Sequence, residues 1–251
     1  MGAGTLPQSA GSELTIGLVA ALPAEIRSLT PLPATLNTPF RINKHLMAIV
    51  CGIGAKNAAR ATQYLLYQDV QGLISWGTAG ALSNELRSGD LVLPDIIQAA
   101  NGKRYRADSK WLEQLKVALK TASIKTHTGL LVDSNTVLGS GMEKSALSAK
   151  IAGAIATDME TAAIFNIAQA NGLPAIAIRS IVDQVGDQLP VEILRHTDQF
   201  GTPRILNILR EIIRKPQLLT HLIRLSGAMR AATRTLQSVA TGTNETLMYT
   251  N

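Results

Sequence analysis

A single cysteine, Cys51, stands among 251 residues, so no internal disulfide can staple the fold and a reducing, cytoplasmic setting is expected. Four histidines, His45, His127, His196 and His221, are scattered without metal-ligand spacing, which argues against a metal site. Aromatic residues make up only 4% of the chain and none interleaves the arginines near its end, as base stacking would require, so no nucleic acid partner is expected. Apolar runs such as 14–22 stop well short of the roughly 18–20 residues of a membrane-spanning helix. The first twelve residues hold no basic residue and are rich in Gly, Ala and Ser, unlike a secretory leader, and 1–13 reads as a loose tail.

What remains is a chain whose 46% hydrophobic content can bury one sizeable core. Its formal charge of +6 is unevenly placed. Residues 1–203 carry 17 Lys and Arg against 16 Asp and Glu, whereas residues 204–251 carry 7 against 2. In that tail, arginines alternate at helical spacing with Ile and Leu, and Pro216 divides it into a helix ending near Lys215 and a second over about 216–240. The last ten residues read as disordered. The chain thus divides into a main domain over 14–215 and a basic amphipathic extension over 216–251. Such a helix either docks with one solvated face or lies on an anionic membrane surface.

Short β-type runs at 15–20, 46–51, 72–76, 90–97, 127–132, 155–157 and 175–182 alternate with helical patterns at 55–67, 109–122, 143–150 and 160–171. The alternation predicts an α/β domain around a parallel or mixed sheet. In such sheets working groups gather beyond the carboxyl ends of strands. Three acid-bearing turns satisfy that rule: Glu25 after the first strand, Asp158 and Glu160 after 155–157, and Asp183 after 175–182. Gly77-Thr78-Ala79-Gly80, read as a turn after the third strand, offers small residues where a ligand could approach the backbone closely.

Gly52-Ile53-Gly54 is not a dinucleotide fingerprint, because Asn57 stands where the third glycine belongs and no acid follows at the right distance. It reads as a tight strand-to-helix turn whose amides are free for an anion or a hydroxyl. Cys51 reads as a core thiol and Asp158 as a helix cap. For Glu160, which opens an Ala/Ile-rich helix, and for Asp183, which leaves an almost wholly apolar strand, structural and functional readings stand level on pattern alone.

The segments IGLVAALPAEIRSL (16–29), CGIGAKNAARATQYLL (51–66), LISWGTAGALSNELRSGDLVLPD (73–95), TGLLVDS (128–134) and ATDMETAAIFNIAQANGLPAIAIRSIVDQVGD (156–187) resemble the purine nucleoside phosphorylase and methylthioadenosine/adenosylhomocysteine nucleosidase superfamily across about 14–213. The opening segment with the basic tail looks most like the hopanoid-associated phosphorylases, thought to remove adenine from adenosylhopane. The resemblance implies a three-layer α/β/α fold with a mixed sheet and a C-terminal helical extension, a homo-oligomer, and cleavage of an N-ribosidic bond without metal or organic cofactor. Carried over by position, Asp183 would protonate or hydrogen-bond the purine N7, Glu160 would bind the ribose 2′- and 3′-hydroxyls with Met159 against the sugar, and Glu25 would orient or deprotonate the attacking water. Thr78 and Gly80 would lie near nucleophile and ribose.

Three departures bear on chemistry. Where the phosphorylases grip phosphate with arginines this chain has Glu25 and Ser75, which favours water, although Arg27 and Arg179 lie close enough to offer another grip for phosphate as a co-substrate. Val137 stands where the nucleosidases stack the purine on a phenylalanine. The basic tail suggests a peripheral contact with the inner membrane face and an adenosyl-lipid substrate, the alternatives being an ordinary methylthioadenosine/adenosylhomocysteine nucleosidase or a non-catalytic nucleoside or membrane binder.

Overall fold

In a computed structural model, which describes residues 14–188, 214–215, 217–243, 247 and 249, the chain folds as a three-layer α/β/α structure on a mixed sheet. Three strands form its centre. β1 (Ile16–Ala20) runs parallel to β3 (Leu46–Val50) on one side and to β4 (Gly72–Ala81) on the other, and β11 (Ala175–Asp183) continues the parallel set beyond β4. All five residues of β1 and of β3 are buried, the mark of strands covered on both faces. Near its end β4 diverges from β1, and Gly80 and Ala81 pair antiparallel with β10 (Ala154–Asp158), which lies parallel to β9 (Leu130–Asp133). The cleft opens where the carboxyl ends of β1, β10 and β11 surround that divergence.

The helices cover both faces. α1 (Pro23–Ile26) is a single turn, α2 (Ala55–Leu66) and α5 (Thr161–Ala170) pack on each other, and α3 (Ser109–Thr121) starts at Asp108, whose carboxylate accepts from the Trp111 N–H. α4 (Gly141–Lys150) opens with a Ser140/Glu143 capping box. α6 (Gln217–Gly242) starts just past Pro216, as expected, and docks against β11. Ala232, Leu236 and Val239 are fully buried, and the last two join the main core. Burying a Leu or Val side chain contributes about 1.5–3 kcal/mol, so these contacts make α6 part of the fold. Its arginines Arg224, Arg230 and Arg234 lie on the solvated side.

Several sequence expectations need correcting. The run 90–97 is two short strands, β5 (Leu91–Val92) and β6 (Ile96–Gln98), because Pro94 cannot donate to a ladder. The run 127–132 is likewise β8 (Thr126–His127) and β9, separated by Thr128 and Gly129. Two strands went unread, β2 (Phe40–Arg41) and β7 (Arg104–Arg106). Gly77-Thr78-Ala79-Gly80 is the second half of β4 and not a turn, since β11 supplies a ladder partner along its length. The chain end is not wholly loose: Leu247 is buried, its carbonyl accepts from Trp111 Nε1 at 2.9 Å, and the Tyr249 ring lies 4.6 Å from that of Trp111. Residues 1–13 and the helix expected to end near Lys215 lie outside the described residues, but for Arg214 and Lys215 themselves.

Candidate active site

Glu25 sits on α1, a turn started by Pro23 just past β1, and its side chain is buried. Its carboxylate accepts four hydrogen bonds. Oε2 takes the N–H groups of Ala21 and Leu22, both at 3.0 Å, and Oε1 takes the Thr78 N–H at 2.8 Å and the Thr78 hydroxyl at 2.9 Å. A carboxylate has about four lone-pair sites, so the set is full. Gly77 makes room: a Cβ there would lie 2.5 Å from Glu25 Oε1 and 2.6 Å from Arg179 Nη1.

Behind Glu25 lies Arg179 of β11, 1% exposed. Its Nη2 bridges to Asp158 Oδ2 at 2.7 Å and donates to Ser75 Oγ at 2.6 Å and Thr161 Oγ1 at 2.8 Å. Asp158 also accepts from the Thr161 N–H and hydroxyl, so it ties the first turn of α5 to the arginine. Burial works against the Arg179 charge, yet the carboxylates of Asp158, Glu160 and Glu25 outweigh it and raise its pKa further.

Glu160 is the N-cap residue of α5, and its side chain reaches back across the cleft. Oε1 accepts from the Gly54 N–H at 2.7 Å and Oε2 from the Met159 N–H at 3.3 Å. The amide in the Gly52-Ile53-Gly54 turn that seemed open to an anion is therefore spent on Glu160. Burial first, and then the neighbouring Asp158 carboxylate, push Glu160 up to about 7. Asp133, at the end of β9 opposite Asp158, is pushed up to about 7 for the same two reasons.

Asp183 ends β11 against the backbone of Gly80, where a Cβ would come within 3.1 Å of its Oδ1. Its Oδ2 forms a buried ion pair with Lys144 of α4, and Lys144 Nζ also donates to the Gln184 carbonyl at 2.6 Å. Burial raises the Asp183 pKa in spite of the lysine.

Glu25, Asp158, Glu160, Asp183 and Lys144 share one cavity of about 260 Å³. Glu25, Thr78, Gly80, Val137, Met159, Glu160 and Asp183, all anticipated as site residues, line it. Val137 is 41% exposed, so the side chain standing at the expected purine-stacking position is small and half out of the cleft. Five further groups were missed. Lys144 gave no signal, being one charge in a polar helix, and Arg179 was noticed only as a candidate phosphate ligand. Asp133 was detectable, because the strand-end rule that flagged Asp183 applies equally to the run LLVD. Leu225 and Met229 of α6 line the cavity as Lys144 does, a wall that no local pattern could announce.

The family model of the phosphorylase superfamily matches residues 11–214. A 5′-methylthioadenosine/S-adenosylhomocysteine nucleosidase of a Marinomonas species is 28% identical over 59% of this chain and 71% of its own length. One from Oceanobacillus iheyensis is 21% identical over 79% of this chain and its full length. Among solved structures, the Neisseria meningitidis nucleosidase bound to methylthio-immucillin-A superposes with a TM-score of 0.68 at 18% identity, covering 90% of this chain and 96% of that one. The futalosine hydrolase of Helicobacter pylori gives 0.65 at 16% identity, over 90% and 97%. The chain therefore belongs to the phosphorylase superfamily, and is an enzyme of the nucleosidase and nucleoside phosphorylase kind that cleaves N-ribosyl bonds.

Proposed function

We propose that the chain hydrolyses the adenine–ribose bond of a 5′-substituted adenosine, of the methylthioadenosine and adenosylhomocysteine type that its relatives' names specify. The observation that carries this reading is the convergence of Glu25, Glu160 and Asp183 on a cavity whose remaining wall is largely apolar. Asp183, whose pKa burial raises above the ordinary carboxylate value, donates a proton to N7 as the C1′–N9 bond breaks and the bonding electrons leave with the purine. Glu160, when ionised, accepts from the ribose 2′- and 3′-hydroxyls, and its negative charge favours the oxocarbenium-like sugar. Of the four donors on Glu25, only the Thr78 hydroxyl can rotate away. Its departure opens one acceptor site for the attacking water, whose proton Glu25 then takes.

Water is favoured over phosphate by the fate of the arginines. Arg179 is engaged with Asp158, Ser75 and Thr161, and Arg27 faces a separate hollow against α6. No arginine lines the cavity among the described residues. The test is adenine release from methylthioadenosine in phosphate-free buffer. Turnover that appears only when phosphate is added would replace hydrolysis by phosphorolysis, and no release from any adenosine would overturn the reading.

A second reading, an adenosyl-lipid such as adenosylhopane, is favoured by α6. The helix places Leu225 and Met229 in the cavity wall and exposes Leu219 and Ile223 near Arg224, the composition of an anionic-membrane contact. Cleavage of a vesicle-embedded adenosyl-lipid at least as fast as methylthioadenosine would promote this reading, and a strong preference for the soluble nucleoside would remove it.

A further inference from the structure

We propose that Lys144 is a positioning residue for the glycosidic step, fixing the Asp183 carboxyl for delivery of its proton and stabilising the carboxylate that delivery leaves behind. The inference rests on the reading of Asp183 as the donor to N7. Lys144 is the one buried lysine among the described residues, 1% exposed. Taking an ammonium out of water costs several kcal/mol, and an apolar residue of similar volume often serves stability as well or better. Its placement needs another reason, and its two partners supply one. Nζ holds Asp183 Oδ2 and the next residue's carbonyl, that of Gln184, so the carboxyl plane and the backbone carrying it are fixed by one group. With Oδ2 occupied, Oδ1 is the oxygen that remains for the base.

The surroundings are built to keep Lys144 there. The Ser140/Glu143 box caps α4, and Gly141 packs so close to the Val185 carbonyl that a Cβ would come within 2.8 Å of it. The loop on the other side is held by Asp187 Oδ2, which accepts from the Gln184 N–H at 2.8 Å. The other charged and titratable groups near Asp183 are Asp187, the His221 and Arg224 of α6 in an adjoining hollow, and Glu25, Asp158 and Glu160 across the cavity. Lys144 alone among the described residues forms an ion pair with it.

The step balances simply. The Asp183 proton moves to N7, the C1′–N9 pair moves onto the purine, and the carboxylate so formed faces the Lys144 ammonium, which keeps all its protons. Solvent reprotonates Asp183 after the base leaves. Lys144 thus makes Asp183 a stronger acid than its burial alone would allow.

The test compares full-length wild type with Lys144→Met and Lys144→Gln on two substrates: methylthioadenosine, whose base needs protonation, and a 4-nitrophenyl riboside, whose leaving group departs without it. The expected result is a fall in kcat of about 10²-fold on methylthioadenosine, with the riboside rate kept within about threefold. The basic limb of kcat/KM should move up by about 1–3 pH units, because Asp183 without its cation holds its proton to higher pH. Equal losses on both substrates, or an unmoved basic limb, would reduce Lys144 to a structural role and overturn the inference. Glutamine, which retains a donor toward Gln184, shows whether a loss in the methionine variant arises from loop disorder. Wild-type failure on methylthioadenosine would instead refute the functional reading on which the inference rests.

Discussion

Glu25→Gln is isosteric, so every consequence of the change must come from charge and donor count. In the wild type each carboxylate oxygen accepts two donors. A glutamine must turn its NH₂ toward one pair. Facing Ala21 and Leu22, it strands two backbone N–H groups that cannot move. Facing Thr78, it strands one N–H, while the hydroxyl can rotate and accept. The second orientation costs less, with one lost buried donor pairing at about 1–3 kcal/mol and three charge-assisted bonds made neutral, offset in part because a charge is no longer buried. A destabilisation of about 2–4 kcal/mol follows, and for a chain of this size each kcal/mol shifts Tm by about 2–4 °C. The unliganded variant should therefore melt about 4–16 °C lower in scanning calorimetry. Its adenine release should fall by about 10²–10⁴ because the base is gone. A Tm within 1 °C of wild type would show that the four-donor description is wrong, even if activity were lost.

Asp183→Asn should lower adenine release from methylthioadenosine by about 10²–10⁴ in a steady-state assay while leaving inhibitor affinity within about tenfold, since N7 can no longer be protonated. Asp133 should make stability depend on pH in the opposite sense to an ordinary carboxylate. Its folded pKa of about 7 lies above the ordinary value of 3.8, so its contribution is fully present below about 4 and is lost as pH rises through about 7. Asp133→Asn should accordingly raise Tm at pH 8 and flatten the decline between pH 5 and 8, and an unchanged slope on thermal melts would count against the assignment. Glu160 titrates in the same window, so KM for methylthioadenosine should rise as pH falls below about 7, with a Glu160→Gln variant showing a high KM throughout. Met229→Ala should raise KM for adenosines with apolar 5′ groups more than for adenosine itself, measured side by side.

The parts of the fold that a local pattern determines were legible. The apolar runs of β1, β3 and β11, the capped helices α3 and α5, and the acids at strand ends all follow from periodicity and from the rule that places ligands beyond carboxyl ends. What escaped the sequence depends on pairing across long separations. Thr78 lies in a strand only because Ser180 lies beside it on β11, and Lys144 has meaning only next to Asp183, 39 positions away. Leu247 illustrates the same point, since a polar, flexible-looking chain end is held in place by Trp111, 136 positions earlier.

α6 also sets the order in which the enzyme can come into being. Synthesis proceeds from the N-terminus, and the roughly 60 residues from the end of β11 to the end of α6 take about 3–12 s to add at about 5–20 residues per second. During that interval β1, β4 and β11 can already pair, yet the face of β11 that α6 covers is bare and the Leu225–Met229 side of the cleft does not exist. The carboxylates are thus all made before the wall that would hold a 5′ substituent over them. A nascent chain has these carboxylates before it has the α6 wall, and it also shows an apolar sheet face to any chaperone nearby. Loss of this helix would remove Leu236 and Val239 from the main core, so it would cost the fold as well as the cavity wall.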